Sequence, residues 1–180
     1  MKIRLFVLLM GVVIGFVLIG CAGEEEGGGE EEQADAGSRP TEVVIEEPDD
    51  VQSAVGSDGA WIILFESDVT VDDEVTVSGE VYQNEGDDEP RRKIALYAQD
   101  SDRNVTDRYT LTVPELVIEH ENTLIQGGTV EGDVYVAASG FTLTDATIDG
   151  DLTFESEELR DEFELGDESE VTGEIEADGD

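Results

Sequence analysis

The chain has 180 residues, with 47 Asp and Glu against 9 Lys and Arg and one His, giving a formal charge of −38. Such a polyanion lacks the basic surface that nucleic-acid phosphates require, and it does not settle on an anionic lipid leaflet by charge. A single Cys excludes an internal disulfide framework and any metal site built from cysteines.

Residues 1–20 open with Lys2 and Arg4, followed by an unbroken apolar run from Leu5 to Ile19. A charged start and an apolar stretch of this length predict a secretory signal. A spanning helix needs about 20 apolar residues, so the run is short for one. No twin-arginine pair precedes it, which points to the general secretory route. The run closes on Leu18-Ile19-Gly20-Cys21, which resembles the lipobox of bacterial lipoproteins. That resemblance implies cleavage before Cys21, a thioether-linked lipid on its sulfur, and acylation of the new amino terminus, with palmitate among the expected chains. An uncleaved anchor with an incidental Cys is the alternative. Several acyl chains, at about 0.8 kcal/mol per buried methylene, hold a soluble domain on a membrane.

Residues 21–40 are Glu and Gly with little else, including Glu24-Glu25-Glu26, Gly27-Gly28-Gly29 and Glu30-Glu31-Glu32. Nothing there can bury a core and like charges repel, which predicts a disordered tether ahead of one domain over residues 41–180. The acidity continues through that domain, where Lys93 is the only lysine. Excess carboxylate with scarce lysine suits concentrated salt, because at about 1 M the Debye length falls to about 3 Å and the surface stops repelling itself. A calcium-holding surface is the competing explanation.

Pro48 to Gly56 reads as a short helix with Asp49 and Asp50 near its start and Gly56 at its stop. It leads into the apolar strand Trp61–Phe65, whose open edge such a helix would cover. Beyond it the apolar residues alternate: Val69, Val71, Val75, Val77 and Val81 all fall on odd positions, one face of extended chain. Tyr82 to Arg92 is polar and contains Pro90, which predicts a loop. Ser156 to Phe163 has the Leu159/Phe163 spacing of a helical turn.

A five-residue pattern of apolar, polar, Gly, acid, apolar recurs at Val77–Val81, Val130–Val134, Ile148–Leu152 and Val171–Ile175. Its glycine–acid pairs are Gly79-Glu80, Gly132-Asp133, Gly150-Asp151 and Gly173-Glu174, and its starts are 53, 18 and 23 residues apart. Fifty-three is close to three intervals of eighteen, and twenty-three is one interval with a short excursion. Strand-length repeats with a Gly at each corner predict an all-β fold, a single-stranded right-handed parallel β-helix, or β-solenoid, of stacked coils. The glycine would allow the tight corner and the acid would face water. A short N-terminal capping helix and a short helix near the C-terminus complete the expected architecture. A β-sandwich whose hairpin turns carry Gly-acid pairs is the alternative.

The segment Gly127-Gly128-Thr129-Val130-Glu131-Gly132-Asp133-Val134-Tyr135-Val136, with its echo at Ala146 to Phe154, resembles bactofilins and related polymer-forming β-helix proteins over roughly Val69 to Ile175. The resemblance implies end-to-end assembly without nucleotide. Bactofilins are typically cytoplasmic, whereas this chain begins with an export signal. The helix at one end and the acidic Glu174–Asp180 tail at the other would oppose stacking of coil ends.

No catalytic set emerges. His120, between Glu119 and Glu121, has no Cys partner for a usual zinc site, and no nucleophile-elbow motif surrounds any Ser. Asp100-Ser101-Asp102-Arg103-Asn104 starts like an EF-hand loop, but Val105 occupies the Gly position and Leu111 the final Glu position. Gly127-Gly128-Thr129-Val130 starts like a calcium-binding β-roll repeat, but Val130 stands where the next Gly belongs. Arg91-Arg92-Lys93, Arg103 and Arg108 form the cationic cluster, which would pair with acids or grip an acidic wall polymer or another subunit. The expectation is therefore a non-enzymatic, cofactor-free structural protein of the cell envelope, lipid-anchored at Cys21 and able to self-associate. The alternative is a monomeric module that binds polysaccharide or, weakly, Ca2+ or Mg2+.

Overall fold

The computed structural model describes residues 41–84 and 87–179. Cys21, the signal and the tether lie outside the described residues.

The domain is all-β, and its main sheets are parallel. Six strands make the first sheet: β1 (Glu42–Ile45), β2 (Ile62–Phe65), β5 (Arg92–Ala95), β9 (Thr123–Gln126), β11 (Thr142–Thr144) and β14 (Glu164–Leu165). They lie side by side in sequence order, every pair parallel. In the second sheet β3 (Val69–Thr70) and β4 (Val75–Val77) both pair with β8 (Thr110–Ile118), which pairs with β10 (Thr129–Val136). There β12 (Thr147–Asp149) and β13 (Leu152–Phe154) follow β10, with β15 (Glu170–Val171) and β16 (Ile175–Ala177) beyond them. Parallel neighbours need a crossover, most often a helix. Here α1 makes the crossover from β1 to β2, and each later crossover between first-sheet strands runs through strands of the second sheet.

This arrangement follows from the alternation in the sequence. In β10 Val130, Val134 and Val136 are buried while Thr129, Glu131 and Tyr135 turn outward. Register then stacks like on like. Leu111, Val130 and Ile148 form one buried row, and Leu116, Val134 and Leu152 another. Ile63, Ile94, Ile125 and Leu143 form the matching row of the first sheet. Each fully buried aliphatic side chain contributes about 1.5–3 kcal/mol.

Two helices and a hairpin leave the sheets. α1 (Pro48–Val55) begins at Pro48 and buries Val51, Ala54 and Val55. α2 (Glu157–Asp161) is capped by the Ser156 hydroxyl, which accepts from the Leu159 N–H, and it falls within the longer interval between β13 and β16. β6 (Tyr97–Gln99) and β7 (Val105–Arg108) form an antiparallel hairpin. The sequence reading found no hairpin there. Its turn is the segment that begins like an EF-hand loop: the Asp100 carboxylate accepts from the N–H groups of Asp102 and Asn104, both at 2.9 Å. Those bonds hold the Asp100 carboxyl below its usual pKa, the contacts with Asn104 being the largest cause.

The interval from Val77 to Val130 also differs from expectation. Val77 pairs with Ile118 and Ile118 with Val136, so two steps of pairing separate the segments rather than three. The loop before Arg92 and the β6–β7 hairpin supply the additional residues.

Candidate functional site

Three of the four glycine–acid pairs lie one beneath another in the second sheet. A side chain on Gly132 would overlap the Val113 carbonyl oxygen, one on Gly150 that of Gly132, and one on Gly173 that of Gly150. Close approach of successive backbones therefore demands glycine, and at Gly132 a φ of 141° demands it as well. The β8–β10 register shifts at this point, where Val113 and Pro114 stand against Gly132 alone. A bulge tolerates the proline, which has no N–H to give a ladder.

The acids beside these glycines do more than face water. Asp133 Oδ1 accepts from the Asp151 N–H at 3.0 Å, eighteen residues on. Asp151 Oδ1 accepts in turn from the Glu174 N–H at 2.9 Å. Each aspartate thus ties its own strand to the next where the bend interrupts the ladder. Thr112 to Glu131 at 3.0 Å and Thr172 to Asp149 at 2.7 Å add side-chain rungs outside it.

Gly79 and Glu80 stand apart from this ladder. Val77 pairs with Ile118, whereas Val130 pairs with Leu111, so Gly79 follows its strand instead of dividing it. Its φ is 92°, and a side chain there would overlap the backbone of Ser57. The adjacent Ser78 N–H donates to the Val55 carbonyl at 3.0 Å. Gly79 therefore serves the junction with α1. A five-residue pattern carries no information about its place along a strand, which is why the sequence grouped four pairs together.

That junction is heavily bonded. The Gln52 amide donates to Thr76 O and accepts from Thr76 N–H, both at 3.0 Å, much as a neighbouring strand would engage β4. Arg92 is only 1% exposed. Its guanidinium donates to the carbonyls of Val55, Gly56 (3.0 Å), Ala60 (3.2 Å) and Ser78 (3.0 Å). A buried cation is tolerable when its donors are satisfied, and carbonyls at a helix C-terminus suit it. His120, also buried, accepts from the Val81 N–H at Nε2 (3.2 Å) and contacts Glu121 O at Nδ1 (2.6 Å). Burial, with help from the Arg92 charge, pushes its pKa below 6.5. It is a neutral structural imidazole with Nδ1 carrying the proton.

The run Arg91-Arg92-Lys93 is therefore split among three surroundings. Arg92 points inward, Arg91 is exposed, and Lys93 is half-buried on the outer face of the first sheet. Lys93 Nζ donates to the Tyr97 hydroxyl at 3.0 Å and lies 5.3 Å from the centre of that ring. Arg108 is elsewhere, bonded to both carboxylate oxygens of Asp145 at 2.7 and 2.8 Å, and joins the hairpin to a later turn. Register places Ile62, Lys93, Leu124, Thr142 and Glu164 in one outward row across the first sheet. A groove of about 570 Å³ runs along this row, lined among others by Trp61, Arg91, Lys93, Asn122, Thr142 and Glu164. The groove is not legible along the chain because its lining comes from six separated segments. The signal that could have found it was the pairing of Arg91 and Lys93 with an outward strand position.

Among the described residues no three His, Cys, Asp or Glu side chains are placed to hold a metal ion, and no helix is long and apolar enough to cross a membrane. Comparison with protein-family models, curated proteins and solved structures returned no match.

Proposed function

We propose that the domain is a right-handed parallel β-helix acting as a structural module of the cell envelope, lipid-anchored through Cys21 and self-associating through one end of its stack. The observation that carries the reading is the contrast between the two ends. At the first end Gln52 of α1 engages the β4 edge of the second sheet, and Arg92, from β5, holds the carbonyls where α1 ends. At the other, β14, β15 and β16 are the last described strands of both sheets, with Leu165 50% and Ile175 43% exposed. Outer backbone groups on such strands are a template for pairing. The bactofilin-like segment from Gly127 to Val136 supports assembly through stack ends, and α1 favours pairing of like ends over an endless head-to-tail array.

Two such ends carry Glu164, Glu170, Glu174 and Glu176 into proximity, so association should strengthen as salt screens them. Sedimentation velocity with negative-stain microscopy on the full chain, from low to molar salt, tests this. Salt-promoted dimers or filaments that Ile175→Lys abolishes are expected; a monomer at every salt concentration overturns self-association. For the anchor, Cys21→Ser should release the protein from the membrane pellet, and the wild-type mass should include the lipid. A second reading, ligand binding by a monomer, is favoured by the groove on the first sheet.

A further inference from the structure

The chain has 47 acidic residues against 9 cationic ones, and Arg108 and Arg160 each pair with an aspartate. Among the described residues the Arg91 guanidinium makes no ion pair, and Lys93 gives one hydrogen to the neutral Tyr97 hydroxyl. Both line the groove of about 570 Å³. Its carboxylates sit at the opposite end, on Glu162 and Glu164. Lys93 and Glu164 share an outward row but are three strand spacings apart, about 14 Å, so they do not neutralise one another. Between them the groove presents Asn122, Leu124 and Thr142, an amide and a hydroxyl beside an apolar surface.

Trp61 also lines this groove, and its Nε1–H is buried without an acceptor. Within the fold the buried indole nitrogen carries a desolvation cost that a phenyl ring would not. The tryptophan therefore needs a reason outside internal hydrogen bonding, and a wide aromatic surface on a groove wall supplies one.

We propose that this groove is a binding site for an acidic polysaccharide, a short run of uronate-containing pyranose rings. A uronate carboxylate meets the Arg91 fork and the remaining Lys93 hydrogens, an interaction that a guanidinium favours in bidentate form. A pyranose ring lies against Trp61, while ring hydroxyls bond to Asn122, Thr142 and Glu164. The molecule's overall negative charge opposes this ligand at low salt. At about 1 M salt, with a Debye length of about 3 Å, distant repulsion vanishes and direct contacts persist. The site goes beyond the scaffold reading and does not depend on copies pairing.

Trp61 is the only tryptophan in the chain, so its emission reports on the groove directly. The full chain should be titrated with tetragalacturonate at about 1 M salt, with neutral maltotetraose and monomeric galacturonate as comparisons. A saturable emission change with tetragalacturonate alone is expected. Arg91→Glu and Lys93→Gln should each weaken it at least tenfold without altering the circular dichroism. Calorimetry on Trp61→Phe, which keeps a smaller ring, should show weaker binding by several-fold. No saturable response at millimolar tetragalacturonate would overturn the proposal. So would equal binding of maltotetraose, monomeric galacturonate as tight as the tetramer, or an Arg91→Glu variant with unchanged affinity. Sedimentation of the same samples reads self-association separately, so failure of one reading is distinguishable from failure of the other.

Discussion

The two ends of the strand array are finished in opposite ways. At the first, a helix supplies Val51, Ala54 and Val55 to the core, Gln52 engages the edge of β4, and a buried guanidinium holds four carbonyls. At the last, the rows lose their cover: Leu143 is buried but its partner Leu165 is half exposed, and Leu152 is buried but its partner Ile175 is not. Phe163, stacked 5.5 Å from Phe141, and the single turn of α2 protect only part of that end. Both ends share one repeating plan, so the difference lies in what closes each of them. Hydrogen bonds from Gln52 remove the β4 edge from pairing, whereas the exposed strands of the last end remain able to associate.

The largest effect expected on this contrast is at Arg92. Arg92→Ala removes the donors to Val55, Gly56, Ala60 and Ser78 together and leaves a cavity beneath α1. Each buried carbonyl left without a donor costs about 1–3 kcal/mol. Urea unfolding should show that loss, and amide exchange should place the lost protection first in α1 and β4. Uniform loss across all strands would mean that the covered end is not a separable unit.

A paired truncation tests the other end. Leu152 and Ile175 are register partners on the same row, one fully buried and one 43% exposed. Leu152→Ala should cost about 2–5 kcal/mol through lost transfer energy and a cavity. Ile175→Ala should cost about 1 kcal/mol or less, because much of its surface already meets water. Equal costs under conditions where the chain is monomeric would show that Ile175 is covered, and the asymmetry argument would fail.

Much of this architecture was legible in the sequence because its signals are local. Alternating valines mark strands, and Pro48 with Gly56 marks α1. The eighteen-residue echo at Val130 and Ile148 matches a direct register pair. What escaped was set by the third dimension. The segments at Gly79 and Gly132 share the pattern apolar, polar, Gly, acid, apolar, yet the strand at Gly79 pairs one segment further along. Arg91, Arg92 and Lys93 read as one cluster, but strand alternation sends Arg92 into the core and leaves its neighbours outside. The groove required knowledge of which strands lie side by side. Insertions before β5 and between β6 and β7 hid that knowledge by stretching the repeat.

A smaller effect isolates edge cover from core packing. Gln52 is exposed, and its amide makes two hydrogen bonds to Thr76. Gln52→Ala should cost about 1 kcal/mol in stability. Its sharper readout is association: uncovering the edge of β4 should let the first end pair, and sedimentation at molar salt should show longer assemblies than wild type. Gln52→Glu retains an acceptor for the Thr76 N–H and loses the donor, so it should fall between the two.

The smallest effect concerns pH and again separates the ends, since His120 belongs to the bonded junction. Its Nε2 must stay unprotonated to accept from Val81, and both burial and the nearby Arg92 hold its folded pKa below 6.5. The unfolded chain therefore binds the proton more readily. Stability attributable to this group is full above about pH 6.5 and falls as pH drops from there toward the lowered folded value. His120→Gln removes the imidazole while keeping an acceptor, and the carboxylates are common to both proteins. Wild type should lose stability between pH 7 and 5 faster than the Gln variant, with early exchange at Val81 and the segment leading to Arg91. Parallel pH curves for the two proteins would mean that His120 takes up its proton as readily folded as unfolded, and the bond from Val81 would then have to be redrawn.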